Sequence, residues 1–101
     1  MVDATGELLA FERTDGAPAF SVRFAVTKAV TAAAFGRPTG DMEPMFEGRP
    51  AFAAGFLPQG PWFVARGGAP ILVDGECVGA IGISGNSAEH EDELARRLAA
   101  G

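Results

Sequence analysis

The side chains that could do chemistry in this sequence gather toward its C-terminal end. The stretch GAIGISGNSAEHEDE, residues 79–93, holds three glycines, two serines, four acids and the chain's one histidine, His90. Three glycines in seven residues invite a phosphate-binding reading, but the spacing fails it. A dinucleotide fingerprint needs G-x-G-x-x-G between a strand and a helix, whereas Gly79, Gly82 and Gly85 give G-x-x-G-x-x-G, with two of them inside a predicted strand. No G-K-[ST] follows, so a P-loop fails as well. GISGN, residues 82–86, falls one glycine short of the nucleophile elbow, and His90 stands on the following helix with no evident reason to point back at Ser84.

The acids of EHEDE, residues 89–93, put Glu89, Asp92 and Glu93 on roughly one helix side. A divalent cation is conceivable there, but a solvated helix start favoured by the helix dipole is the commoner arrangement. One Cys and one His cannot build a four-ligand structural zinc site. Haem needs an axial donor, and the inventory is His90, Cys77, Met1, Met42 and Met45, with tyrosine absent. Lys28 and Arg37 are candidates to meet the carboxylates of an anionic ligand, although lone surface charges are more common.

These groups must be positioned by a small scaffold. The chain has 101 residues, 48% apolar and 21% charged, which predicts one globular domain over residues 1–101. Alanine is abundant, so the core is thin and an oligomer interface would add apolar burial; a homo-oligomer is expected. The net charge of −5 without a basic run argues against nucleic acid. No segment approaches the roughly 20 apolar residues of a membrane span. The N-terminus lacks the basic and apolar regions of a secretory signal, and the single Cys77 fits a reducing cytoplasm.

The predicted order is β-β-α-loop-β-β-β-α. VDATGELLAFER reads as a hairpin about Thr5-Gly6, and residues 19–35 as a helix ended by Gly36, with Lys28 off its apolar stripe. Residues 36–61 read as an ordered, proline-rich loop with one helical turn near residues 49–55. A strand starts at PWFVARGG. PILVDGECVGAIGIS is a hairpin about Asp74-Gly75, and a helix of about 13 residues follows, capped by Asn86 and Glu89. Within the last strand Val78, Ala80, Gly82 and Ser84 share one face, which shrinks toward its end. Glycine there marks close approach, either of a helix or neighbouring subunit, or of a flat ligand over Gly82 and Ser84.

Several segments in series resemble the GlcG/HbpS family, which includes the C-terminal domain of PduO-type corrinoid adenosyltransferases. They are D-G-A at Asp15–Ala17, K-A at Lys28-Ala29, F-G-x-P-T at Phe35–Thr39 and G-A-I-G-x-S-G at Gly79–Gly85. The resemblance implies an α/β (α+β) profilin-like fold, with an antiparallel sheet of about five strands flanked by helices, and assembly into oligomers. It also implies haem as ligand in several members and places the small strand and the K-A helix near the pocket. Haem or another planar anionic cofactor is therefore the expected ligand, with Lys28, Thr31, Arg37, Gly82 and Ser84 expected as pocket lining. Family members usually begin with a further helix that supplies a haem-linked histidine in some of them; this chain begins where the first strand is already under way. The rival expectation is a cofactor-independent enzyme on a small carboxylate or aromatic metabolite, with Lys28 orienting the anion and Glu12 or Asp15 as acid or base. A third is an assembly module with no ligand.

Overall fold

The computed structural model describes residues 1–101. Strand β1 (Val2–Asp3) is followed by helices α1 (Phe20–Phe35), α2 (Thr39–Glu47) and α3 (Pro50–Phe56). Strands β2 (Gly68–Val73) and β3 (Glu76–Gly82) form a hairpin, and helix α4 (Ala88–Ala100) closes the chain. The sheet is antiparallel in the order β1-β3-β2. It has three strands rather than the five expected.

The two missing strands have a common cause: their backbone groups are engaged elsewhere. After β1, the Asp3 carboxylate accepts from the backbone N–H groups of Thr5 and Glu7 and from the Thr5 hydroxyl, folding the chain into a tight turn. These bonds hold the Asp3 carboxyl below the usual carboxylate range, the Thr5 hydroxyl foremost. Of the hairpin there remain a bridge from Val2 to Leu8, a bond from the Asp3 N–H to the Glu7 carbonyl, and bonds between Met1 and residues 9–10. Near the other missing strand, the Phe63 N–H goes to the Thr31 hydroxyl and the Arg66 N–H to the Glu43 carboxylate, so a ladder cannot propagate.

The β2–β3 hairpin forms as its sequence demands. Asp74 and Gly75 have φ of 52° and 79°, the paired positive values of a type I′ turn. A bulge between Ile71 and Leu72 shifts the register, leaving Val78 outside the Cα pairing.

Helix α1 ends at Gly36 in the left-handed conformation, its N–H bonded to the Ala32 carbonyl. Its buried set is Ser21, Lys28, Ala29, Thr31, Ala32 and Ala33. Of the apolar stripe that spacing predicts (Val22, Ala25, Val26, Ala29, Val30 and Ala33) only Ala29 and Ala33 belong to it and the rest are half-buried, so the buried face is turned toward Lys28 and Thr31. The core is small: Val2, Ala29, Ala32, Ala33 and Ala80. Alanines on both sides let helix and sheet approach closely. At Gly82 a Cβ would strike the Ala25 carbonyl oxygen and come within 2.9 Å of the Ala29 nitrogen. The close approach that the strand glycines predict is thus, at Gly82, that of α1.

The 36–61 segment is two helices, not a loop with one turn. Pro44 inside α2 reads as a breaker, yet Thr39, Met42 and Phe46 at spacings of three and four bury one face of it. Phe46, Phe52 and Phe56 stack with centroids 5.2–5.7 Å apart, and Phe35 joins them from α1.

Candidate functional site

The turn Ser84–Ser87, between β3 and α4, separates two concavities. Its shape depends on α4 starting where it does. Ser87 is the N-cap, accepting from the His90 N–H, one position beyond the Asn86 that spacing suggested. Glu91, one helical turn further, folds back so that Oε2 accepts from the N–H groups of Gly85 and Asn86 at 2.9 and 2.7 Å. Its other oxygen, Oε1, lies 3.0 Å from Lys28 Nζ. Lys28 also donates to the Ile83 carbonyl at 3.1 Å. The ammonium thus sits at the end of β3, with the Phe63 ring centroid 5.8 Å away. Gly67 leaves it room, since a Cβ at Gly67 would lie 3.1 Å from Nζ.

On one side of the turn is a cavity of about 380 Å³, within the range of small-molecule sites. Ile81 and Ile83, which alternate away from α1, form its apolar floor with Leu94 of α4, and Phe11 and Arg13 rise from the N-terminal segment. Gly82, Ser84 and His90 also line it. On the other side is an open cleft of about 530 Å³, walled by Phe20, Phe24 and Phe63 with Lys28 and Glu91 behind them.

The five residues expected to line a pocket are therefore divided. Gly82 and Ser84 line the cavity; Lys28 and Ser84 line the cleft. Thr31 is fully buried, donating to the Thr27 carbonyl and accepting from Phe63, so it positions a cleft wall from behind. Arg37 is exposed beyond the C-terminal end of α1, where its charge acts on Asp41. Glu12 lines the cavity while Lys28 lines the cleft, so the acid–base and anion-orienting groups of the rival enzyme lie on opposite sides of the turn.

His90, though exposed, is among the residues that line the same cavity as Ser84. Of the other axial candidates, Cys77 Sγ is directed at the Ala33 and Gly79 carbonyls, and Met42 is 2% exposed within the α2 packing. No group of three His, Cys, Asp or Glu side chains converges to hold a metal ion. Asp92 instead pairs with Arg96 at 3.0 Å, and Arg96 reaches Asp41 on α2 at 2.7 Å. Sequence reasoning missed Glu91 altogether. The one signal for it was its position four residues after the Ser87 cap, on the helix face where Ala95 is also buried.

The chain is 36% identical over 85 residues to the protein GlcG of Escherichia coli K12, matching 83% of this chain and 60% of that protein. It thus spans about 60% of the length of that curated relative. Among solved structures, a PduOC:haem complex superposes with a TM-score of 0.84 at 30% identity, covering 97% of this chain and 71% of the other. A double mutant of Streptomyces reticuli HbpS gives 0.84 at 30% identity, over 98% and 65%. A family model described as "Haem degrading protein HbpS-like" matches residues 1–100, and the chain belongs to that HbpS-like family.

Proposed function

We propose that this protein binds haem, or a planar anionic cofactor of similar size, in the cavity beside Gly82 and Ser84, with His90 as the axial donor. One observation carries the reading: the only histidine of the chain lines a cavity that it shares with Phe11, Ile81, Ile83 and Leu94, and with polar Glu12, Thr14 and Asn86. Apolar side chains beside a nitrogen donor suit one face of a porphyrin. Arg13, tied at 3.0 Å to the Ala17 carbonyl through one nitrogen, keeps further N–H groups for a propionate. The HbpS-like family and the haem complex of a structural relative support the same class of ligand.

When bound, haem would supply a redox-active iron; the chain's own residues bind it, orient it and limit the access of water. Self-association belongs to the same reading. Leu8, Leu9, Leu72, Val73 and Val78 are each 45–60% exposed, apolar surface of the kind a second copy covers.

The test is a haemin titration followed through the Soret band, with His90→Ala and Arg13→Ala alongside. Saturable 1:1 binding with a histidine-ligated spectrum, changed by His90→Ala and weakened by Arg13→Ala, is expected. A spectrum indifferent to His90→Ala removes the axial assignment, and no Soret shift removes the haem reading.

A further inference from the structure

The cleft on the far side of the Ser84–Ser87 turn is built differently from the cavity. Its floor is Lys28, 4% exposed, whose ammonium carries three donors. Two are used, by Glu91 Oε1 and the Ile83 carbonyl, which leaves one N–H for the cleft. Asn86 accepts from the Ser87 N–H through its side-chain oxygen, so its NH2 group is left to donate. Ser84 adds a hydroxyl at the rim.

The acceptors have no such surplus. Glu91 is the cleft's only carboxylate, and both of its oxygens are engaged, one by Lys28 and the other by two backbone N–H groups. It also lies in the first turns of α4, where the dipole further offsets its charge. Donors face the opening and acceptors are spent, so the cleft favours an anion over a cation.

The walls add a second requirement. Phe20 and Phe24 are 5.2 Å apart between centroids, and Phe24 and Phe63 4.8 Å, tilted at 54° and 58°. Phe20 is 58% exposed and Phe24 38%, so this part of the ladder stays open at the cleft instead of being buried. Phe63 is held in place by the Thr31 hydroxyl and lies next to the ammonium. The rings touch one another, so a flat ring would pack on the ladder from the opening, beside Phe24 and Phe63, with a substituent carboxylate directed at Lys28.

We propose that this cleft is a binding site for a small aromatic monocarboxylate, its carboxylate taken by Lys28 with Asn86 and Ser84 and its ring packed on Phe24 and Phe63. The site is separate from the haem cavity, with which it shares the turn residues, and stands whether or not haem binds.

The probe is benzoate, titrated into the full chain and followed by amide NMR shifts, with benzamide and acetate as controls. Benzoate is expected to saturate with shifts centred on Phe63, Gly85 and Asn86. Benzamide lacks the charge and acetate the ring, and each is expected to bind at least about tenfold more weakly. Phe24→Ala, at a part-exposed position that leaves the fold intact, is expected to weaken benzoate about fivefold or more while leaving haemin binding unchanged. Lys28→Met, paired with Glu91→Gln so that no carboxylate is left buried and unpaired, is expected to abolish saturation. Benzamide matching benzoate, acetate matching benzoate, shifts centred on Ile81 and Leu94, or no saturable benzoate binding would each overturn the proposal.

Discussion

Lys28 and Glu91 stand 63 residues apart in sequence and 3.0 Å apart in space, with side chains 5% and 8% exposed. The pair joins α1 to α4 beyond the end of β3, although the two helices pack chiefly on the sheet and not on each other. Burying two charges costs desolvation, which mutual attraction offsets only when the remaining hydrogen-bonding groups are satisfied. Here they largely are, through the Ile83 carbonyl on one side and the Gly85 and Asn86 N–H groups on the other. The pair thereby sets the shape of the turn that divides the two concavities.

The two ends of this pair should respond unequally to removal. Glu91→Ala strands a buried ammonium and leaves two N–H groups without their acceptor, an expected loss of about 3–5 kcal/mol. That is a large share of the stability of a domain this size. Lys28→Met leaves the carboxylate its two backbone donors, and a smaller loss of about 1–3 kcal/mol is expected. The double variant should lose less than the sum, because the stranded ammonium that makes Glu91→Ala costly is absent from it. Urea denaturation of the three variants measures this; simple additivity would mean that the residues do not act as a pair.

Glycines in this chain should divide by what surrounds them. Gly82→Ala would drive a Cβ into the Ala25 carbonyl and toward the Ala29 nitrogen, both backbone groups that cannot swing aside. A loss of at least about 1–3 kcal/mol is expected, as α1 lifts from the sheet. Gly55 lies within α3 with nothing inside 4 Å of its missing Cβ. Gly55→Ala should therefore stabilise, by up to about 1 kcal/mol, through helix propensity alone. Thermal unfolding of the two variants, with midpoints shifting in opposite directions, checks both.

What could be read in the sequence was what short-range chemistry decides. Asp74-Gly75 fixes its own hairpin, and Gly36 its own helix end, because positive φ is a local demand. The 13 residues of α4 follow from periodicity between a polar cap and a terminal glycine. The family was legible from short motifs in series, and the match over residues 1–100 bears it out. Long-range pairings were not legible. Lys28 reads as a residue off the apolar stripe because its partner lies on another helix, and no local pattern announces Glu91. The strand expected near Trp62 is absent because Thr31 takes the Phe63 N–H, a bond between residues 32 positions apart. Helix α2 was hidden by Pro44, whose cost is outweighed by burial of Met42 and Phe46. The division of the site residues between two concavities follows from those same distant contacts.

The start of α4 should depend on one hydroxyl. Ser87 Oγ accepts from the His90 N–H, satisfying a donor that has no partner inside the helix. Ser87→Ala is expected to cost about 1 kcal/mol. The local sign is faster amide hydrogen exchange at His90, with the last turns of α4 unaffected. Exchange rising equally along the whole helix would show global loosening instead of a lost cap.

The surface ion network between α2 and α4 should give a small acid-dependent term. Asp41 is held below the usual carboxylate range, chiefly by its hydrogen bond from Arg96 and further by the charges of Arg96 and Arg37, while burial pushes the other way. Arg96 is correspondingly raised, first by the same bond. A carboxyl lowered on folding contributes stability that is fully present above its ordinary range and is lost as pH falls through the lowered value. The side chains are 48% and 39% exposed, so water and salt screen the pair and its worth is about 1 kcal/mol or less. Asp41→Asn leaves Arg96 its bond to Asp92, so no charge is stranded. The variant should be slightly less stable than the parent at pH 6, and the gap should narrow toward pH of about 2–3 and in high salt. Urea midpoints at both pH values decide it: a gap that is the same at each would mean that Asp41 acts through packing and not through its charge.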